Sequence, residues 1–227
     1  MRTDVAALIP AYRAGATVAD VVAGARRHLE RVVVVDDGSG DETRARATAA
    51  GAEVLVHGSN AGKGAAITTG LRALATAGVG RALTLDADGQ HLPREIPALL
   101  EASDADPTAI VVGVRRKEGH TIRLVNRFGN WIADRLLRAI AGRALPDTQS
   151  GFRIYPVAAT LALGARGTRY DFETEILLRA ARRGMPLVGV PVQVYYPPVA
   201  ERVSHFKPGR DTLRIIRTVV QVLVRPG

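Results

Sequence analysis

Val32-Val33-Val34-Val35 is apolar and β-branched at every position and runs straight into Asp36-Asp37-Gly38-Ser39. A strand with one face in water alternates, so an unbroken run of this kind belongs to a parallel strand covered on both faces. The pattern recurs along the chain. Residues 5–10 form a short apolar run closed by Pro10, and 17–29 carry Val18, Val21, Val22 and Ala25 at helical spacing, with Thr17 as N-cap. A second helix begins at Asp41-Glu42, 53–56 read as a strand, 63–77 as a helix and 81–86 as a strand. Repeated β-α-β units with short loops predict an α/β fold: a Rossmann-like, doubly wound, mostly parallel sheet flanked by helices, with its site at the C-terminal ends of the strands.

The rest of the chain is expected to add a helix at 96–101, a strand at 109–114, a mobile charged loop at 116–121 and a long helix at 124–142. A strand at 151–155 follows, then a helix at 174–183 closed by Gly184, and one strand at 187–196 or two divided at Pro191. The final helix, 211–224, sets Leu213, Ile216, Val220 and Leu223 opposite Arg210, Arg214 and Arg217. That is the pattern of an interfacial amphipathic helix, or of one packed on the core or on a partner. The expected organisation is a catalytic domain over 1–206 and an amphipathic tail over 207–227.

Hydrophobic residues make up 47% of the 227, yet no apolar run approaches the ~20 residues that span a bilayer. A soluble or peripheral protein is expected. The N-terminus lacks the apolar stretch of a signal peptide, so export is not expected. The absence of cysteine excludes disulfides and thiolate metal sites and fits the cytoplasm. A net charge of +9 calls for an anionic partner: a phosphate ligand, a nucleic acid or a lipid headgroup. Aromatic residues, at 4% and partly inside apolar runs, are too sparse for the interleaved basic and aromatic surface of a nucleic-acid module, so nucleic acid is not expected as a partner.

Asp86-Ala87-Asp88-Gly89-Gln90-His91 follows the apolar run 81–85. Carboxylates this close raise each other's pKa unless a cation lies between them. They therefore either begin a turn, as Asp often does, or hold Mg²⁺ or Mn²⁺ whose shell is completed by substrate phosphate. Asp36 and Asp37 allow the same two readings, a turn or a fixed acceptor for a nucleobase or ribose. Asn60-Ala61-Gly62-Lys63-Gly64 suggests a phosphate loop but fails the Walker pattern, with His57 at its first glycine and Gly64 at its Ser/Thr. Lys63, near a helix N-terminus, is expected to neutralise a diphosphate.

These motifs, taken in order with Ile9-Pro10-Ala11-Tyr12, Gly113-Val114-Arg115 and the stretch 147–153, resemble the family-2 glycosyltransferases of GT-A fold, most closely the polyprenyl- and dolichol-phosphate sugar synthases. The resemblance covers about 5–206. It implies a nucleotide-diphosphate sugar donor such as GDP-mannose or UDP-glucose, with Pro10, Tyr12, Asp37 and Asp86 along the nucleoside. Asp36, Lys63, Ala87 and Asp88 join that donor set. Asp86, Asp88 and Gln90 are implied as metal ligands. Arg115, Asn126, Arg127, Ser150 and Arg202 are implied to face the sugar and the acceptor phosphate, and Arg123, Arg153 and His205 are added to that side. Asp88, Arg115, Asp147 and Arg202 are the expected catalytic residues. Two departures stand out: the element Glu201-Arg202-Val203-Ser204-His205-Phe206-Lys207 stands where dolichol-type members often carry a basic Arg…Gly-x-Ser-Lys element, and the appended transmembrane helices of many relatives are not expected within these 227 residues.

A lipid monophosphate, with a second pKa near ~6, is largely ionised at neutral pH and needs cations rather than a base. Direct inverting displacement onto polyprenyl phosphate is the expected reaction. A hydroxyl acceptor would instead require Asp147, Glu173 or His205 as base. The expected partners are the sugar nucleotide, the polyprenyl phosphate and the membrane surface, with a separate membrane subunit as a further candidate. The expected location is peripheral, on the inner face of the cytoplasmic membrane.

Overall fold

The computed structural model describes residues 3–115, 146–195 and 208–224. The elements run β1 (Val5–Ala11), α1 (Val18–Arg26), β2 (Val32–Asp36), α2 (Thr43–Ala49), β3 (Glu53–Val56), α3 (Lys63–Thr76) and β4 (Arg81–Thr84). After a 3₁₀ turn at Pro93–Glu95 come α4 (Ile96–Ala105), β5 (Ile110–Arg115), β6 (Arg153–Pro156), α5 (Val157–Ala162), α6 (Asp171–Arg182), β7 (Leu187–Val192) and α7 (Pro208–Val224).

Seven strands form one sheet in the order β3-β2-β1-β4-β6-β5-β7. From β1 the chain steps outward through β2 and β3, then returns to place β4 on the other side of β1. The crevice between the C-terminal ends of β1 and β4 is therefore the topological switch point, where an open α/β sheet leaves room for a ligand.

Alternation decides which helix covers which face. Along β1, Val5, Ala7 and Ile9 pack with Val18 and Val22 of α1 and with Ile96 and Leu99 of α4. Ala6 and Leu8 point the other way, to Ile67 and Leu71 of α3 and Ile176 and Leu177 of α6. Both faces are buried, which is why β2 carries no polar alternation.

The structure departs from the sequence pattern at several places. β6 runs antiparallel to both β4 and β5, a reversal that apolar composition does not encode. The short helix α5 was not expected. Pro191 does not divide β7: that strand lies at the sheet edge and pairs only with β5, so the missing N–H costs no inner ladder bond. α4 and α6 extend beyond their expected bounds, and α7 begins at Pro208. The expected loop at 116–121 and helix at 124–142 lie outside the described residues, as do Arg123, Asn126, Arg127, Arg202 and His205.

Arg153, at the start of β6, is 0% exposed. Its guanidinium donates to the carbonyls of Ser150 (2.6 Å), Thr148 (2.9 Å) and Glu173 (2.7 Å) and to the Tyr155 hydroxyl (3.2 Å). These bonds tie the loop before β6 to the first turn of α6, and the side chain is unavailable to an acceptor. The Ser150 hydroxyl, 1% exposed, accepts from the Phe152 amide and faces no solvent either. The expected acceptor roles of Arg153 and Ser150 are thus replaced by structural ones. Arg153→Leu strands three buried carbonyls and is expected to lower stability by about 3 kcal/mol or more. Urea denaturation with an unchanged slope checks this, and a loss under about 1 kcal/mol contradicts it.

Candidate active site

The loop after β4 is held from three sides. The Asp86 amide donates to Nδ1 of His91 at 2.9 Å. His91 is buried and stacks on Phe152 with ring centroids 5.0 Å apart. Burial drives its pKa down to about 4, so the ring is neutral at physiological pH, and Nδ1 must be the unprotonated nitrogen because it accepts. The Gln90 carbonyl accepts from the Tyr195 amide, next to a bridge between His91 and Val194. The Ala87 carbonyl accepts from the Thr17 hydroxyl at 2.6 Å, which anchors the loop to the start of α1. Asp88 accepts from the Gln90 amide at 3.0 Å.

Asp86 does not face the cavity as an isolated charge. The Lys63 ammonium lies 2.6 Å from its Oδ1 and 2.8 Å from Oε1 of Glu173. Burial alone would favour neutral lysine, but the two carboxylates hold its pKa well above the usual value. Burial would likewise raise Asp86, and the Lys63 charge brings it below the carboxylate range. Asp88 behaves in the opposite way: burial and the Asp86 charge both push its pKa up. A carboxyl in that position is relieved by a cation. The carboxylates of Asp86 and Asp88 with the side-chain amide oxygen of Gln90 are therefore an oxygen-donor set that fits Mg²⁺ or Mn²⁺, with phosphate oxygens left to complete the shell. Lys63, expected on a diphosphate, lines the cavity with its ammonium bonded to two carboxylates.

The two acids after β2 separate in role. Asp36 is 2% exposed and accepts from the Ser39 amide at 2.9 Å, closing its own turn, so its expected place against the nucleotide is corrected. Asp37 lies on the cavity wall. It accepts from the Ala61 amide (2.8 Å) and the Gly62 amide (2.7 Å), and His57 Nδ1 lies 2.7 Å away. The carboxylate thus shapes the 57–62 loop as well as the wall. Gly62 has φ +104°, and a Cβ there would meet the Thr168 carbonyl oxygen at 2.4 Å, so only glycine fits ahead of Lys63.

The cavity measures about 450 Å³. Pro10, Tyr12, Asp37, Lys63, Asp86, Ala87, Asp88 and Gln90, all singled out from sequence, border it. So does Arg115, whose guanidinium forks onto Asp147 through Nε (2.6 Å) and Nη2 (2.9 Å). Arg169, Tyr170 and Gln149 also line it, and none of them was singled out from sequence. The only local signal was Arg169-Tyr170 between Gly167 and the acidic start of α6. Ile215 of α7 reaches the same cavity.

A model of the family described as "Glycosyl transferase family 2" matches residues 6–163. A UDP-N-acetylglucosamine–dolichyl-phosphate N-acetylglucosaminyltransferase of Methanococcus voltae is 29% identical over 83% of this chain and 84% of its own length. An undecaprenyl-phosphate mannosyltransferase of Micrococcus luteus is 33% identical, covering 71% and 70%. Among solved structures, glucosyl-3-phosphoglycerate synthase of Mycobacterium tuberculosis in complex with Mg²⁺ and UDP superposes with a TM-score of 0.74 at 21% identity, over 98% of this chain and 80% of the other. That likeness establishes the GT-A-type fold.

The fork between Arg115 and Asp147 carries a pH signature. Burial would raise the Asp147 carboxyl, and the hydrogen bond and charge of Arg115 reverse that and hold it below its ordinary 3.8. A depressed native pKa stabilises the fold fully above the unfolded value, and the gain is lost as pH falls through the native one. The stability gap between the parent and Asp147→Asn, from urea midpoints, is expected to be constant above about pH 4 and to close below it. A gap unchanged down to about pH 3 contradicts the pairing.

Proposed function

The chain belongs to glycosyl transferase family 2, and from that premise we propose that it moves a hexose from a nucleoside-diphosphate sugar to a polyprenyl phosphate, with inversion and without an obligatory enzymic base. The observation that carries this reading is the state of the candidate bases. Asp147 is forked by Arg115 with its pKa lowered, and the Glu173 carboxylate is 2.8 Å from the Lys63 ammonium. A base needs a pKa near the working pH, and Arg115 holds Asp147 away from it, while the Glu173 carboxylate is engaged by the Lys63 ammonium and His205 lies outside the described residues. An acceptor that arrives already ionised, as a phosphate does, suits such a site. The names of the dolichyl- and undecaprenyl-phosphate relatives support the same acceptor class.

In this reading Pro10, Tyr12 and Asp37 hold the nucleoside, and Asp86, Asp88 and Gln90 hold Mg²⁺ or Mn²⁺. Such an ion stabilises charge on the departing diphosphate. Arg115, kept in place by Asp147, and Arg169 present guanidinium groups that suit phosphate oxygens. Arg123, Asn126, Arg127, Arg202 and His205 are assigned to the acceptor on the resemblance alone.

A lipid acceptor places the protein at a membrane, peripherally and on the inner face. No helix among the described residues is long and apolar enough to cross one. α7 packs on α6 through Val219 and Val222 against Leu178, and the Thr218 hydroxyl donates to Asp171 at 3.2 Å. Its Ile216 and Val220, 54% and 50% exposed, point outward beside the exposed Arg217. That face suits an interfacial contact.

Labelled transfer from UDP- and GDP-sugars to polyprenyl phosphate and to polyprenol tests the reaction. Transfer to the phosphate alone is expected, with rates falling as pH drops through the acceptor's second pKa, near ~6. Transfer to polyprenol sinks the baseless mechanism. Asp88→Ala is expected to cut kcat by roughly 10²- to 10³-fold, the scale of losing one aimed electrostatic group. In liposome sedimentation, Ile216→Asp with Val220→Asp is expected to release the chain from anionic vesicles, and unchanged binding refutes the assignment of that face.

A further inference from the structure

We propose that Arg13 is a donor-binding residue: a left-handed turn after β1 sets its guanidinium on the cavity wall, where it takes the phosphates of the nucleoside diphosphate. The inference deepens the functional reading above and rests on it.

Among the described residues Arg13 is the one non-glycine with a positive φ, +51°. In that region the Cβ of an L-residue crowds the neighbouring carbonyl, and glycine or asparagine would sit there with less strain. An arginine kept in such a conformation must be held by its surroundings. Three consecutive amides do this. The Arg13 amide donates to the Ser39 hydroxyl (2.8 Å), the Ala14 amide to the Thr43 hydroxyl (2.8 Å) and the Gly15 amide to Oδ2 of Asp41 (3.2 Å). Thr17, at the end of the same turn, is bonded to Ala87 between Asp86 and Asp88. The turn is thus fastened to the loops after β2 and β4, and Arg13 can relax to negative φ only by breaking those bonds.

The strain redirects a side chain. Successive residues of an extended strand point to opposite sides, which would turn Arg13 away from Tyr12. Instead its Cζ lies over the Tyr12 ring, 5.4 Å from the centroid, and both residues border the cavity. A guanidinium resting on an aromatic face keeps N–H donors at its edge for phosphate oxygens. Of the other cations on the wall, Lys63 bridges Asp86 and Glu173, and Arg115 forks onto Asp147. Of the remaining acids there, Asp37 accepts from two amides and lies against His57, and Asp88 is assigned to the metal. Arg13 is exposed and pairs with no carboxylate among the described residues, so its charge is free to meet an anion. Arg169 shares that freedom without the strain. The neighbours Pro10 and Tyr12, and the bond from the turn to the loop after β4, put Arg13 with the donor rather than the acceptor.

The test sets stability against affinity. Binding of UDP and of GDP to the full chain with Mn²⁺ is measured by calorimetry, beside thermal unfolding without nucleotide. Arg13→Gly relieves the backbone and removes the guanidinium. It is expected to unfold at the parent's temperature or above while binding both nucleotides about tenfold or more weakly. A residue serving structure alone would move the two readouts the same way. Arg13→Lys, which keeps a charge without the planar fork, is expected to fall between. Uridine, guanosine and a short polyprenyl phosphate are each expected to bind the parent and Arg13→Gly alike. Parental affinity for UDP and GDP in Arg13→Gly overturns the proposal. An equal loss for the nucleosides, or a loss confined to the polyprenyl phosphate, overturns it too. If Arg13→Gly does not fold, Arg13→Asn, which also tolerates the left-handed region, decides by the same criteria. A parent that binds neither nucleotide removes the donor reading itself, whereas a parent that binds them beside an unaffected variant removes this inference alone.

Discussion

A largely buried ammonium between two carboxylates holds the centre of this molecule together. Placing Asp86 two residues from Asp88 after β4 puts like charges on one side of the cavity, and the fold tolerates that because Lys63 reaches across from the start of α3. Neither partner is comfortable alone. An unpaired buried charge costs several kcal/mol, whereas the pair, with Glu173 as its third member, balances much of that desolvation. The same contact joins two sequence-distant helices, α3 and α6, to the central strand.

Around it, polar groups act more on the backbone than on solvent. Asp37 shapes the glycine-containing loop, His91 receives the Asp86 amide, Thr17 fixes Ala87, and Arg153 collects three carbonyls from the loop before β6 and from α6. Loops at the C-terminal edge of a parallel sheet leave backbone donors and acceptors without ladder partners, and side chains must satisfy those that are buried. The residues that look chemical in the sequence are consequently of two kinds. Some border the cavity, as Asp88 and Arg115 do, and others, as Asp36, Ser150 and Arg153 do, are the frame that keeps the first kind in place.

The helix at the end of the chain links this frame to the protein's surface. It docks on α6 near Asp171, two residues before Glu173, and it brings Ile215 to the cavity while turning Ile216 and Val220 outward. One element thus borders the polar crevice with one face and presents apolar side chains to the surface with the other.

The sequence alone determined the layer architecture. Apolar runs without alternation, such as 32–35, have no stable place except inside a sheet covered twice, and each ended in a polar cluster that had to lie along one edge. The order of those clusters also carried the family. What only the tertiary structure decided was which charges meet. The reversal of β6, the different surroundings of Asp36 and Asp37, the pairing of Lys63 with two carboxylates and the burial of Arg153 depend on contacts between segments up to about a hundred residues apart. Composition and periodicity report a residue's own preference for water or core, whereas an ion pair is a property of two positions, and their distance is known only once the chain has closed on itself.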